Sequence, residues 1–302
     1  MKKVLITGAT GLIGQQLVKE LRRKNYAINY LTTREVRPND DPNYQGFHWN
    51  PELGEINVEC FKDVSYIINL AGAPIAQRWT ASNKKIIMDS RTNSVRLLYD
   101  SIKQNGLKIE QFISASAIGY YPYSETRLYD EEYTSTMDSF IVNVVREWEA
   151  SADNFKQLNI PVAKIRIGMV LSDKGGVLSQ LVKPIKSYVG AVLGSGNQWQ
   201  SWIHIEDLAG IFIYLLEHHK DGVYNGVAPN PVTHKAMTKE IARILNKPLW
   251  LPKVPTGFLR LVLGKMHVLV TKGQRVNSKK IESIGYEFKY FQLRNALENL
   301  LK

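Results

Sequence analysis

The run Gly8-Ala9-Thr10-Gly11-Leu12-Ile13-Gly14 constrains this chain more than any other feature. It follows the apolar stretch Val4-Leu5-Ile6 and leads into Ile13, Leu17, Val18 and Leu21, which recur at helical spacing. A glycine triplet between a strand and a helix has a mechanical reading. Gly8 permits the tight turn, Gly11 lets the backbone approach a pyrophosphate, and Gly14 lets helix and strand pack closely. The helix start then offers free N–H groups, around Thr10, Leu12 and Ile13, and a positive dipole end to phosphates. The expectation is a bound dinucleotide.

Which dinucleotide depends on the end of the second strand. A site for NAD(H) wants a carboxylate there, about 20 residues past the glycines, to take the ribose hydroxyls. This chain instead reads Leu31-Thr32-Thr33-Arg34-Glu35. Two hydroxyls and a guanidinium arrive first, and Arg34 suits a 2′-phosphate. NADP(H) is therefore expected over NAD(H), with a solvated Arg34–Glu35 pair as the other reading. Trp49, after Gly46-Phe47-His48, lies where such a fold passes the adenine, and stacking and core packing weigh equally there.

The rest of the chain repeats the strand–helix alternation. Ala27 to Leu31, Tyr66 to Leu70, Phe112 to Ser114 and Val162 to Ile167 read as strands. Ile86 to Lys103, Ile141 to Leu158 and Glu206 to His218 read as helices. Such alternation predicts an α/β fold, a Rossmann-type doubly wound parallel sheet with helices on both faces. From Asn225 onward five prolines change the texture. The expected division is a cofactor domain over 1–170, with 200–224 returning to it. A smaller substrate domain takes 171–199 and 225–302.

Composition excludes more than it selects. With 44% apolar and 22% charged residues the chain is neither disordered nor fibrous. The one cysteine, Cys60, excludes an internal disulfide and reads as a buried thiol in a reducing, cytoplasmic setting. The apolar run of Met1-Lys2-Lys3-Val4-Leu5-Ile6 stops at Thr7, too soon for a signal peptide. The net charge of +11 is scattered over short clusters such as Arg22-Arg23-Lys24 and Lys279-Lys280. No basic arm or recognised nucleic-acid motif accompanies it, so the expected partner is a small molecule, with no specific nucleic acid and no membrane. The apolar stretch Phe258 to Val270 reads either as a membrane-surface helix or, preferably, as a helix packed on the second domain. No cluster of His, Cys, Asp and Glu has metal-ligand spacing, and no metal is expected.

With Asn69-Leu70-Ala71-Gly72 and Ser114-Ala115-Ser116-Ala117 in place, the chain resembles the extended short-chain dehydrogenase/reductases, the NAD(P)-dependent epimerase/dehydratase group. It is most similar to an atypical branch called nucleoside-diphosphate-sugar epimerase-like proteins. Ala73-Pro74-Ile75, Arg78-Trp79, Ser90-Arg91, Trp148-Glu149, Ser201-Trp202-Ile203-His204 and Gly273-Gln274-Arg275-Val276 carry that likeness. The resemblance implies a cofactor lying along Leu70, Ala71, Gly72, Ser114 and Ala115, with Arg166 and Gly168 at the next strand end.

The resemblance also implies a catalytic Ser, Tyr and Lys. The Tyr moves a proton at the reacting oxygen, the Lys lowers its pKa and holds the ribose, and the Ser polarises the oxygen. Ser116 matches the serine. Counting back from Glu149 puts the Tyr position at Ile141 and the Lys position at Val145, and Phe140 to Ala150 contains neither residue type. Ser90-Arg91 also stands where the larger group usually has Asn. Two functions follow. One is an atypical oxidoreductase or epimerase whose acid is relocated to Tyr120 or Tyr121, beside Ser116, although such a pair also serves as pocket wall. The other is a non-catalytic NADPH-binding sensor. Trp199 and Trp202 could stack on a sugar or base or pack a hinge. His204 and Asp207 could pair, although a structural role is preferred. Arg275 could reach an anionic ligand or bridge the domains.

Overall fold

The computed structural model describes residues 1–36 and 40–302. Its centre is an eight-stranded sheet built from β1 (Lys3–Thr7), β2 (Ala27–Thr32), β3 (Tyr44–Asn50), β4 (Glu55–Ile56), β5 (Val64–Asn69), β6 (Gln111–Ala117), β8 (Val162–Ile167) and β12 (Gly222–Gly226). The short β7 (Leu128–Tyr129) lies outside it. The spatial order is β12-β8-β6-β5-β1-β2-β3-β4. All pairs are parallel except the short edge pair of β3 with β4. This is the doubly wound α/β architecture that the alternation predicts.

The strand sequences explain why they are central. Val4, Leu5, Ile6, Ile67 and Ile68 are all 0% exposed, because a parallel strand covered by helices on both faces has no polar side to present. Helix α1 (Leu12–Arg23) packs against α5 (Ile205–Glu217), and α2 (Ala81–Gln104) packs against α3 (Phe140–Asp153). Each keeps its apolar spacing on one side: Leu17 and Leu21 in α1, Val95, Leu98 and Ile102 in α2. Thr80 and Ser139 cap α2 and α3 by accepting from Asn83 N and Val142 N.

The strand order reverses between β1 and β5. From β1 the chain goes outward to β2 and β3, and then returns across β1 to lay down β5, β6, β8 and β12. Such a reversal leaves a crevice at the carboxyl ends of the two strands, where open α/β sheets bind ligands.

The remaining elements form a cap beside that edge. They are β9 (Met169–Leu171), α4 (Val177–Lys186), β10 (Trp199–Gln200), β11 (Trp202–His204), β13 (Val232–Thr233), α6 (His234–Ile244), α7 (Thr256–Leu263), α8 (Val268–Thr271), β14 (Arg275–Val276), α9 (Lys279–Ser283) and α10 (Leu293–Leu301). A second core joins Leu171, Leu178, Trp202, Met237, Ile241 and Leu297. Two small parallel pairs lie outside the main sheet, β7 with β14 and β9 with β11. In α7 Leu259 is buried while Phe258, Leu261 and Val262 stand out into solvent, so that helix is packed on one side only. No helix among the described residues is long and apolar enough to cross a membrane.

Two buried histidines tie the cap together as neutral groups. The His204 ring accepts from Glu206 N through Nδ1, stacks 3.9 Å from the Tyr290 ring and donates through Nε2 to Asn299. His234 is buried at the start of α6. Burial pushes each pKa down to about 4. The unfolded chain takes up these protons near pH 6.5 and the folded chain only near 4. Their stabilisation is therefore complete above pH 7 and lost as pH falls through that window. Unfolding free energies from urea titration at pH 7 and pH 5 should differ by about 2 kcal/mol for each histidine. Replacing His234 by Gln should remove its share of the difference.

Candidate active site

The glycine loop closes the crevice from the β1 side. Gly8 has φ +69°, and a Cβ on it would lie 3.1 Å from the Leu70 backbone. A Cβ on Gly14 would lie 2.2 Å from the Gly8 carbonyl oxygen, so helix and turn meet only because both positions lack side chains. Gly11 caps α1 without a side-chain bond, and the first turn carries no acidic residue. The helix start, with Leu12 and Ile13 partly exposed and Thr10 and Gly11 exposed, is left open to an anion.

One hydroxyl organises the floor of the crevice. Thr7 Oγ1, wholly buried, donates to Asn69 Oδ1 at 2.7 Å and accepts from Leu70 N and Ala71 N, each at 3.0 Å. Asn69 Nδ2 donates to Ser114 Oγ at 3.2 Å, and the Ser114 hydroxyl donates to the Ala115 carbonyl at 2.9 Å. This chain of bonds links the ends of β1, β5 and β6 and holds the Leu70–Gly72 loop against Gly8. Ser114 and Ala115 are buried beneath the crevice, and Gly72 is exposed at its lip. Sequence reading missed Thr7. Its signal was available: a polar residue closing an otherwise apolar central strand.

At the end of β2, Thr33 and Arg34 are exposed, Thr32 is half-buried, and the Arg34 N–H donates to Thr32 Oγ1 at 3.1 Å. Arg34 makes no ion pair with Glu35, so the solvated pair weighed from the sequence is absent. Among the described residues no carboxylate pairs with its guanidinium. Leu12 touches the Gly175–Gly176 turn, where a Cβ on Gly176 would lie 3.1 Å from its side chain. That turn borders the crevice from above.

A second polar network lies beyond β6. Ser116 Oγ donates to Glu149 Oε1 at 2.6 Å. Arg166 donates to the same carboxylate through Nε at 2.8 Å and Nη2 at 2.9 Å, and through Nη1 to the Tyr121 hydroxyl at 3.0 Å. Tyr121 donates in turn to Asn225 Oδ1 at 2.8 Å. The Arg166 guanidinium also lies 3.5 Å from the centre of the Tyr120 ring. Asn225 reaches Asn277 O, Gln274 donates to Tyr121 O, and the network thereby joins sheet to cap.

This network corrects several expectations. Arg166 is 3% exposed with its donors committed to Glu149 and Tyr121, so it is a structural cation and not a cofactor contact. Tyr121 is 1% exposed with its hydroxyl committed to Asn225 and Arg166, so it is not open to a ligand, and burial pushes its pKa up to about 12. Tyr120 remains half-buried, beside Ser116. Trp49 is 3% exposed in the main core, so packing and not adenine stacking is its role. Gly168 is small for the sake of Ser201, whose carbonyl would lie 2.2 Å from a Cβ there. His204 and Asp207 do not pair, because Asp207 accepts from Lys289 N, Tyr290 N and the Tyr286 hydroxyl. Trp202 is fully buried, while Trp199 lies 4.5 Å beneath the Arg275 guanidinium. The Cys60 thiol is buried and pushed up to about 12, so it is inert.

Ile141 and Val145 do face this site. A Cβ on Gly119 would lie 2.5 Å from Ile141 Cγ2 and 3.8 Å from Val145 Cγ2. The helix surface opposite Ser116 and Tyr120 is thus apolar there. Among the described residues no group of His, Cys, Asp and Glu could hold a metal.

The comparisons with known proteins bear on family and fold. The family model described as the NAD dependent epimerase/dehydratase family matches residues 4–227, and a domain of unknown function, DUF1731, matches 254–300. The chain belongs to the NAD-dependent epimerase/dehydratase family. An epimerase family protein of Staphylococcus epidermidis is 38% identical over 305 aligned residues, covering all of both chains. The crystal structure of human epimerase family protein SDR39U1 with NADPH superposes with a TM-score of 0.86 at 28% identity, covering 99% of this chain and 98% of that one. A nucleoside-diphosphate sugar epimerase from Corynebacterium glutamicum gives 0.79 at 27% identity, covering 99% of this chain and 58% of that longer one. Both family segments fall on the described architecture, the first ending just beyond β12 and the second spanning α7 to α10.

The Glu149–Arg166 pair yields a stability prediction. Glu149→Leu leaves a buried guanidinium without its counter-charge and should cost about 3–5 kcal/mol. The double change Glu149→Leu with Arg166→Met should cost much less than that single change. Urea denaturation of the variants reads both.

Proposed function

We propose that this member of the epimerase/dehydratase family binds NADP(H) in preference to NAD(H). We propose further that it acts as an oxidoreductase or epimerase on a small, sugar-like or anionic substrate without the Tyr/Lys pair of its larger group. The observation that carries the cofactor reading is the exposed Arg34 at the end of β2, next to Thr32 and Thr33, with no carboxylate partner among the described residues. A guanidinium there matches a 2′-phosphate in charge and shape. The NADPH in the human relative supports the same reading.

The bound dinucleotide would supply hydride chemistry, and the chain's residues bind and orient it. The backbone at Gly8–Gly14 would hold the pyrophosphate, and the Leu70–Gly72 loop, set by Thr7, would border the next ribose. Tyr120 is the phenol of the proposed pair that remains open to a substrate, steadied by Arg166 behind its ring. The cap, with Trp199 and Arg275, forms the substrate side.

A second reading is favoured by particular residues. The Ser116 hydroxyl is spent on Glu149, and Ile141 and Val145 present methyl groups. These suit a sensor whose NADPH occupancy is read by a partner. Fluorescence titration separates the cofactor claims: NADPH should bind at least about tenfold more tightly than NADH, and Arg34→Ala should erase the difference. Tighter binding of NADH would overturn the preference. Oxidation of bound NADPH by any member of a panel of carbonyl compounds or nucleotide sugars supports the enzyme. Loss of that turnover in Tyr120→Phe assigns the proton, and tight NADPH with no turnover supports the sensor.

A further inference from the structure

Two guanidinium groups are drawn out of bulk water at this edge of the sheet, and only one is neutralised. Arg166 has Glu149. Arg91, in α2, has a carbonyl of its own helix: Nη1 donates to Ile87 O at 2.8 Å. Its guanidinium lies over the Trp148 ring, 5.0 Å from the centre. Among the described residues no carboxylate pairs with it, and burial alone, unopposed by any neighbour, pushes its pKa down to about 10. The group is still charged at neutral pH. A guanidinium has five N–H donors, and one is spent on Ile87. Withdrawing such a charge from water without a partner is costly, and arrangements of that kind mark places where a ligand completes the pairing.

Its position says which ligand. The Arg91 side chain runs across Gly72, where a Cβ would lie 3.1 Å from its Cζ and 3.4 Å from its Nε. Any side chain at Gly72 would therefore displace the guanidinium. The preceding residue, Ser90, anchors the same loop by accepting from Ala73 N at 2.9 Å. From the phosphate loop the crevice runs along Leu70 and Ala71 to Gly72, and Arg91 stands at its far end. On the other side is Trp148, which shares one face of α3 with Ile141 and Val145 through their four- and three-residue spacing. The cation thus sits beyond the pyrophosphate position, toward Val145, and comes from α2 instead of α3. Arg34 lies at the opposite end, on β2.

We infer that Arg91 is the positioning cation for the nicotinamide half of the dinucleotide, donating to its ribose and phosphate oxygens from beneath Gly72. This rests on the dinucleotide reading given above. In this arrangement Trp148 holds the guanidinium plane, Gly72 leaves it room, and Ser90 keeps the loop from moving away. The apolar Val145 then needs no charged replacement on its own helix, because the neighbouring helix already delivers one.

The test uses Arg91→Met and Arg91→Lys in the full chain. Methionine keeps an apolar stem over Trp148 and removes the charge. The probes are NADPH and 2′,5′-ADP, which carries the phosphorylated adenosine and lacks the nicotinamide half. Calorimetric titration should show NADPH weakened about tenfold to hundredfold in Arg91→Met, the loss of one or two charge-assisted bonds. Binding of 2′,5′-ADP should match the wild type, and Arg91→Lys should recover part of the NADPH affinity. Thermal unfolding of the unliganded Met variant should occur at or above the wild-type temperature, since an uncompensated charge has been removed. The inference is overturned if both probes weaken by the same factor, or if NADPH affinity is unchanged. A lowered unfolding temperature with unchanged NADPH affinity would show a purely structural arginine. Should the wild type bind 2′,5′-ADP but Arg91→Met leave NADPH untouched, the inference alone fails and the cofactor reading stands. If the wild type binds neither probe, the cofactor reading fails and takes the inference with it.

Discussion

The bidentate bond between Glu149 and Arg166 is the interaction on which the rest of the site depends. It joins α3 to β8 in a place closed to water, and each end of it recruits a neighbour: Ser116 on β6 at the carboxylate, Tyr121 at the guanidinium. Through Tyr121 and Asn225 the same network reaches Gln274 and Asn277 in the C-terminal segment. A buried ion pair of this kind contributes little to stability compared with an apolar replacement, but losing one partner is severe. Its contribution here is positional. It orients α3 so that Ile141 and Val145 look toward Gly119, and it fixes the rings of Tyr120 and Tyr121 beside the sheet edge.

A separate, uncharged device governs the cofactor side. The Thr7 hydroxyl gathers Asn69, Leu70 and Ala71, so the loop after β5 is held at the distance from Gly8 that a ligand backbone requires. The two networks meet at β6, where Ser114 belongs to one and Ser116 to the other. Two residues apart on this strand, the two serines share one face of the sheet, and each is tied to a different network. The crevice between them is the topological switch point, and the charged groups around it are distributed unevenly. Among the described residues Arg34 and Arg91 have no carboxylate partner, whereas Arg166 is engaged by Glu149 and Tyr121. Beside Arg275 over Trp199, this gives part of the excess positive charge a location, although most of it remains spread over the surface.

The parallel sheet, the crossover helices and the glycine turn were legible in the sequence because each is a local, periodic signal. Buried strands read as unbroken apolar runs, helices as spaced ones, and a glycine turn as small residues at set intervals. Helix ends were less legible. The helix expected over Ile141 to Leu158 relaxes into a 3-10 turn after Asp153, where Phe155 stacks on Phe112 of β6. The apolar stretch of α7 was expected to pack, yet three of its large side chains are exposed, because amphipathic spacing does not say whether a partner surface exists. The site was legible only in outline. Trp49, Arg166, Tyr121 and Gly168 have residue types suited to ligand contact, and their roles were decided by neighbours distant in sequence.

By itself, then, the sequence determined that a strand, a glycine turn and a helix would build a phosphate-binding corner, and that arginine and not a carboxylate would follow the second strand. Local geometry suffices for both, since backbone conformation at glycine and the register of a short strand need no distant partner. Only the tertiary structure decided which charges are spent. Glu149 lies 17 residues from Arg166 and 33 from Ser116, and only the packing of α3 on β6 and β8 brings the three together. The same packing leaves Arg91, in the adjacent helix, facing Gly72 and Trp148, with no carboxylate paired to it among the described residues. Whether a charged side chain is a strut or a hand extended to a ligand is a property of what surrounds it, and that is set by the fold.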